Sequence, residues 1–291
     1  MDSHAPDIPL IPSVSLLAPN YDVWLCDIWG VLHNGLQPFP SACRACERFR
    51  AQGGCVVLIS NSARPRDGVI RQMLEIGVPE DVWDAVATSG DVTRDLIARH
   101  VDKAMLHIGP QRDLGIFEGH DIRFAGPAEA EIIVCSGLHD DSSETPEDYL
   151  PLLRDLAGRG LVMICANPDL MVERGHRLVY CAGALAAEYE KLGGRVLYAG
   201  KPHRPIYDLA LALAQEARGE AADRRRILAI GDGLKTDMAG AAAAGLDALY
   251  IASGLHLSEA GSNGTATREQ IAELFADQPM RPVAAQVRLA W

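Results

Sequence analysis

No stretch of this chain approaches the roughly 18 consecutive apolar residues that a membrane-spanning helix needs, so no span is expected. The first twenty residues carry no basic segment followed by an apolar run, so no signal peptide is expected either. Positive charge is in deficit, with 27 Lys and Arg against 39 Asp and Glu and a net charge of −12. That argues against a nucleic-acid surface, which needs a basic face. It leaves an anionic small molecule open, because the field inside a cleft can oppose the net charge. There is no internal repeat and no low-complexity run. The seven cysteines are odd in number and scattered, which reads as buried thiols in a reducing cytoplasm. Cys43 and Cys46 form a C-x-x-C, but they lie on a helical pattern and no second pair completes a zinc site.

The 291 residues are 48% apolar and 23% charged, an ordinary globular balance for one large or two ordinary domains. The chain is organised around Tyr21 to Gly35, YDVWLCDIWGVLHNG. It reads as a buried strand, Val23 to Cys26, ending on Asp27, followed by a sharp turn at Gly30. A helix over 41–52 is stopped by Gly53-Gly54. A second apolar strand, 55–59, ends in Ser60-Asn61-Ser62. A helix over 65–76 leads to a short strand, 85–87, ending in Thr88-Ser89-Gly90. This β-α-β-α-β alternation argues for a parallel sheet.

Residues 91–194 repeat the alternation with strands of their own at 104–108, 131–136 and 161–166, helices at 146–157 and 183–192, and read as an inserted domain. The first pattern is expected to resume over 195–291. A strand at 196–199 leads into Gly200-Lys201-Pro202, and a strand at 227–230 ends in Gly231-Asp232-Gly233. A helix over 237–244 and a strand at 248–251 follow. The tail holds one helix, about 267–276, then an irregular end.

Four strand ends therefore carry polar residues: Asp27, Ser60, Lys201 and Asp232. In one parallel sheet such ends share an edge, where α/β folds hold their ligands. An acid, a hydroxyl, an ammonium and a second acid are what phosphoryl transfer through an aspartyl-phosphate needs. A carboxylate attacks phosphorus only if its repulsion from the dianion is neutralised, which a Mg²⁺ between Asp27 and Asp232 would do. Lys201 and Ser60 would hold the transferring oxygens, and Asp237 would support the metal. Each residue alone has a simpler reading, as a helix cap or a solvated side chain; the four in order do not. GDGLKT also mimics a dinucleotide fingerprint but lacks the third glycine.

In DIWGVL at Asp27, LISNS at Ser60, GKP at Lys201 and GDGLKTD from Gly231 to Asp237, the chain resembles the haloacid dehalogenase (HAD) superfamily over residues 21 to about 255. The large insert resembles its class IIA branch, as do Thr88-Ser89-Gly90 and Asn167-Pro168-Asp169. The resemblance implies an α/β fold with a Rossmann-like core (1–90 and 195–291) and an inserted C2-type cap (91–194). It implies a phosphohydrolase acting on a small phosphorylated metabolite, a sugar phosphate or nucleotide, and leaves room for a homodimer through the cap. Asp27 would be the nucleophile. Asp27, the Trp29 backbone carbonyl, Asp232 and Asp237 would hold Mg²⁺, and Ser60, Asn61 and Lys201 the phosphoryl group. From the cap, His139, Asn167, Asp169, Arg174 and His176 are candidates to face the substrate.

One position departs from the pattern. The family's phosphatases carry a second Asp two residues after the nucleophile, which protonates the leaving oxygen and then activates water. Here it is Trp29, and an indole offers a donor N–H but no titratable proton near neutral pH. Weak or altered phosphatase activity is therefore expected, with His33 as the nearest substitute acid. The alternatives are a phosphometabolite-binding protein without turnover, and a dehalogenase-like C–X hydrolase, whose halide leaves without a proton.

Overall fold

The computed structural model describes residues 7–174, 177–252 and 266–291. The chain divides into two compact units. The first comprises the described parts of Met1–Ser60, Gln72–Ala87 and Tyr207–Trp291; the second comprises Asn61–Arg71 and Thr88–Ile206.

The first unit is built on a six-stranded sheet. Its strands are β1 (Val23–Asp27), β2 (Cys55–Ser60), β3 (Ala85–Thr88), β10 (Ile227–Gly231), β11 (Asp247–Ile251) and β12 (Ala284–Gln286), in the order β12-β11-β10-β1-β2-β3. β1 lies at the centre, parallel to both β2 and β10. Every residue of β1, β2 and β10 is buried, which is why these strands read as unbroken apolar runs with a polar residue only at the end. Helix α1 (Pro40–Ala51) packs its Cys43, Cys46 and Phe49 inward, and Phe49 stacks on Trp24 of β1 at 3.9 Å between ring centroids. The C-x-x-C is thus a pair of core thiols, and all seven cysteines are free and buried. Strand β12 was expected to be irregular chain. Its Ala-Ala-Gln carries no strand pattern, and its place is fixed by pairing with β11 and by the Leu10–Ala285 bridge from the N-terminal arm.

The second unit holds a four-stranded parallel sheet, β4 (Met105–Ile108), β5 (Ile132–Cys135), β6 (Val162–Cys165) and β9 (Arg195–Tyr198), in the order β4-β5-β6-β9. Ile133 and Cys135 face a core shared with Leu153 and Leu156 of α4 (Leu150–Gly158) and Leu185 and Tyr189 of α5 (Ala182–Lys191). Ile132 and Val134 face a second core with Ile97 of α3 (Ser89–Ala98), Ile116 and Phe117. Each fully buried aliphatic side chain contributes about 1.5–3 kcal/mol, so a sheet covered on both faces is the stable arrangement for these sequences.

The structure departs from expectation in two places. β9 does not return to the first sheet; it pairs with β6, Val162 opposite Arg195 through Cys165 opposite Tyr198. Only three residues separate it from α5, and so short a connection lays the strand beside the sheet its helix covers. Lys201 therefore follows a strand of the second sheet, so the four polar strand ends do not share one sheet edge. The other is an omission: no element is expected between the strand at 161–166 and the helix at 183–192, and an antiparallel hairpin, β7 (Met171–Arg174) and β8 (Arg177–Tyr180), forms there. The remaining helices are α2 (Arg66–Glu75), α6 (Arg204–Arg218), α7 (Ala239–Ala244) and α8 (Arg268–Leu274). Among the described residues no helix is long and apolar enough to cross a membrane.

Candidate active site

Strand register builds the first half of the site. Asp27, the last residue of β1, lies opposite Ile59, one residue before the end of β2, while Cys26 lies opposite Ile230 of β10. Ser60 and Asp232 thus leave the sheet on either side of Asp27. A five-residue π-turn, Leu234–Met238, follows β10 and brings Asp237 back toward the strand. π-turns of this kind recur at functional sites because the extra residue re-aims a side chain.

Carboxylate oxygens of Asp27, Asp232 and Asp237 lie within 4.8 Å of one another. Asp27 and Asp237 are 6% and 3% exposed. Internal hydrogen bonds orient them. Asp27 Oδ1 accepts the Ile28 N–H (2.8 Å), and Asp237 Oδ2 accepts the Gly233 N–H (3.1 Å). At such separations three ionised carboxylates repel by roughly 3–4 kcal/mol per pair, a cost that a divalent cation removes. An all-oxygen anionic set of this kind suits a hard ion such as Mg²⁺. Among the described residues this is the only group of three or more His, Cys, Asp or Glu placed to hold a metal. Asp237 stands in the cluster itself rather than behind it.

The turn after β1 fits around the cluster. Gly30 has φ +83°, and a Cβ there would overlap the Asp232 carboxylate, so only glycine gives the acid its place. Trp29, half-buried, lays its benzo ring over Gly35, where a Cβ would overlap the ring. Its edge meets the His33 ring at 5.4 Å and 77°. The turn is pinned by the Gly30 N–H donating to the His33 carbonyl (2.9 Å).

His33 is not the substitute acid expected of it. It is 2% exposed, its Nδ1 accepts the Gly35 N–H (2.9 Å), and burial lowers its pKa to about 4. Near neutral pH it holds no acidic proton to give; its role is to shape the turn.

The second unit assembles a different group. Asn61 donates from its side-chain amide to Asp169 Oδ1 (2.8 Å) and to the Lys201 carbonyl (3.1 Å). Its Oδ1 accepts the Lys201 N–H (2.6 Å). Both amide hydrogens have partners within the second unit, so Asn61 positions Lys201 and Asp169, which are 140 and 108 residues away. Asn167 Oδ1 accepts the Asp169 N–H (3.0 Å), a local turn bond that orients the Asn167 side chain. Lys201 itself is 3% exposed. The bonding partners of Asn61 lie far along the chain, and no local signal reveals them.

Of the remaining candidates, His139 is exposed, with Nδ1 3.0 Å from the Gly109 carbonyl. Arg174 ends β7, and His176 lies outside the described residues. Tyr207, unremarked in the sequence, donates its hydroxyl to the Asp237 carbonyl (3.4 Å) and backs the π-turn.

Comparison with known proteins bears on the whole chain. A family model described as haloacid dehalogenase-like hydrolase matches residues 24–123, and one described as HAD-hydrolase-like matches residues 198–277. A solved structure of a hydrolase of the haloacid dehalogenase-like family from Brucella suis 1330 is 49% identical. It covers 97% of this chain and 100% of its own, with a TM-score of 0.86. The ribonucleotide monophosphatase NagD of Escherichia coli K12 is 26% identical over 234 residues, 79% of this chain and 87% of NagD. The 5'-nucleotidase YutF of Bacillus subtilis is 23% identical over 238 residues, 81% of this chain and 88% of YutF.

Proposed function

The chain belongs to the haloacid dehalogenase-like hydrolases, and from that premise we propose that it is a Mg²⁺-dependent phosphatase of small phosphorylated metabolites. The observation that carries the reading is the carboxylate cluster of Asp27, Asp232 and Asp237 at the ends of adjacent parallel strands. The metabolite class, a nucleotide or sugar phosphate, is supported by the names NagD and YutF carry. The second unit, whose sheet includes β9, is proposed as the cap that selects it, and the free, buried thiols suit a reducing cytoplasm.

Asp27 attacks phosphorus, a new P–O bond forms to its carboxylate, and the bond to the leaving oxygen breaks. Water then attacks the aspartyl-phosphate at phosphorus, restoring the carboxylate and releasing phosphate. Asp27, Asp232, Asp237 and the Trp29 backbone carbonyl would hold Mg²⁺, which supplies positive charge against the phosphoryl dianion. Ser60 donates a hydrogen bond and Lys201 a charge to the phosphoryl oxygens. Asn61 and Asp169 keep Lys201 in place.

One observation favours a second reading, binding without turnover: Trp29 has no proton to give. A halide-releasing reaction is disfavoured by the acidic cluster, which a metal-free mechanism leaves without a purpose. The deciding experiment is a panel of nucleotides, sugar phosphates and aryl phosphates with Mg²⁺ and with EDTA, on wild type and Asp27→Asn. Mg²⁺-dependent phosphate release that Asp27→Asn abolishes is the expected result. Tight binding of a metabolite with no release from any compound would replace this reading with the second one.

A further inference from the structure

The turn that closes around the carboxylate cluster offers nothing acidic to the oxygen that leaves phosphorus. Trp29 stands two residues beyond Asp27, beside Gly30, which abuts the Asp232 carboxylate. Its ring is a built part of the turn, seated on Gly35 and edged by His33. The remaining side chains there are Val31, Leu32 and His33, all 2% exposed or less, and His33 Nδ1 is taken by the Gly35 amide. A carboxylate that displaces an alkoxide from phosphorus without a proton donor expels a very strong base. A leaving oxygen whose anion is already stable needs no such help.

We propose, resting on the phosphatase reading above, that this site turns over fastest the phosphoryl donors whose leaving group departs as a stable anion, aryl oxides or carboxylates, that it turns over nucleotide and sugar phosphates, which expel alkoxides, only slowly, and that Trp29 sets this preference. The electron pair of the breaking P–O bond stays on the leaving oxygen, which departs unprotonated. The same lack acts on the second step. Attacking water gives its proton to solvent or to the departing phosphate, so hydrolysis of the aspartyl-phosphate is slow. Release of the leaving group then runs ahead of release of phosphate.

The test is a series of phosphate monoesters at saturating Mg²⁺, from 2,4-dinitrophenyl through 4-nitrophenyl to phenyl phosphate, with glycerol phosphate as the alkyl member and acetyl phosphate as the acyl member. Wild type should turn over the dinitrophenyl ester at least about 10³-fold faster, in kcat/KM, than glycerol phosphate. General acid catalysis is worth typically 10²–10⁴-fold, so Trp29→Asp should shrink that spread by a comparable factor. Trp29→Phe, which keeps a ring and supplies no acid, should retain it and guards against misfolding of the Asp variant. Rapid mixing should show a burst of about one nitrophenolate per site in wild type. Acetyl phosphate on the aryl line assigns the preference to leaving-group stability alone; aryl esters above it add stacking on the indole. A shallow dependence in wild type, with alkyl and aryl esters within about tenfold, overturns the proposal while leaving the phosphatase reading intact. No turnover of any member overturns both.

Discussion

In the first sheet, β1, β2 and β10 run out into Asp27, Ser60 and Asp232; in the second, β4, β5 and β6 run out into Gly109, Ser136 and, two residues on, Asn167. The paired strands β1, β2, β10, β11 and β12 of the first sheet run parallel, as do all four strands of the second. Their acids are treated differently. Asp27 and Asp237 are turned toward another acid. Buried Asp113 of the second unit is instead set against the Ser136 hydroxyl, and burial raises its pKa. Ser136 Oγ is in turn 2.9 Å from His107 Nε2. A parallel sheet thus provides an edge, and the groups placed on it decide whether acids gather there, as a cation needs, or an acid is set against a hydroxyl.

The sharpest way to break this contrast is to neutralise one acid in each unit. Asp27→Asn should lower kcat by at least about 10³-fold, measured on an aryl phosphate, whereas Asp113→Asn should leave kcat within about threefold. Equal losses would erase the distinction between the two edges. A second measurement uses two imidazoles, buried His33 and half-buried His107, one in each unit. Burial lowers both His33 and His107 to a pKa of about 4. A histidine whose folded pKa lies below its unfolded value of about 6.5 resists protonation in the folded state. Its stabilising contribution is complete above pH 6.5 and is lost as pH falls from there through about 4. Urea unfolding at pH 7 and pH 4.5 should differ by up to about 3 kcal/mol per group, and His33→Gln or His107→Gln should each remove part of that difference.

Metal affinity comes next in size. Asp237→Asn should raise the Mg²⁺ dissociation constant about 10–100-fold by isothermal titration, with no metal heat lost in Ser136→Ala. The smallest effect is in stability. Ser136→Ala leaves buried Asp113 and His107 without their shared partner and should cost about 1–3 kcal/mol in thermal unfolding. An unchanged midpoint would mean that the chain of hydrogen bonds is not what holds that edge together.

Much of this was legible in the residues. β1, β2 and β10 are central strands, so burial on both faces writes them as apolar runs and leaves Asp27, Ser60 and Asp232 conspicuous at the ends. Edge and accessory pieces left no such mark. β9 is a four-residue edge strand, partly exposed, and its pattern suits either sheet equally. β12 is three residues long and is specified by its partner. The hairpin β7–β8 follows directly on Asn167-Pro168-Asp169, whose turn chemistry masks the strand after it. The bracing bonds of Asn61 left no mark either, because its partners Asp169 and Lys201 lie far along the chain. His33 failed for a related reason, since a loop histidine reads as solvated and only the folded turn buries it.

The indole resting on Gly35 also constrains the order in which this turn can change. While Trp29 is present, any side chain at position 35 collides with the ring, so the two positions form an epistatic pair in which the larger member must be altered first. Once the ring is gone, the φ of +83° at position 35 still disfavours most residues but admits Asn and Asp. An acid could then enter from position 35 where none stands at 29. The path from this turn to an acid-bearing one therefore runs in a fixed sequence, and libraries that vary residue 35 alone will find nothing.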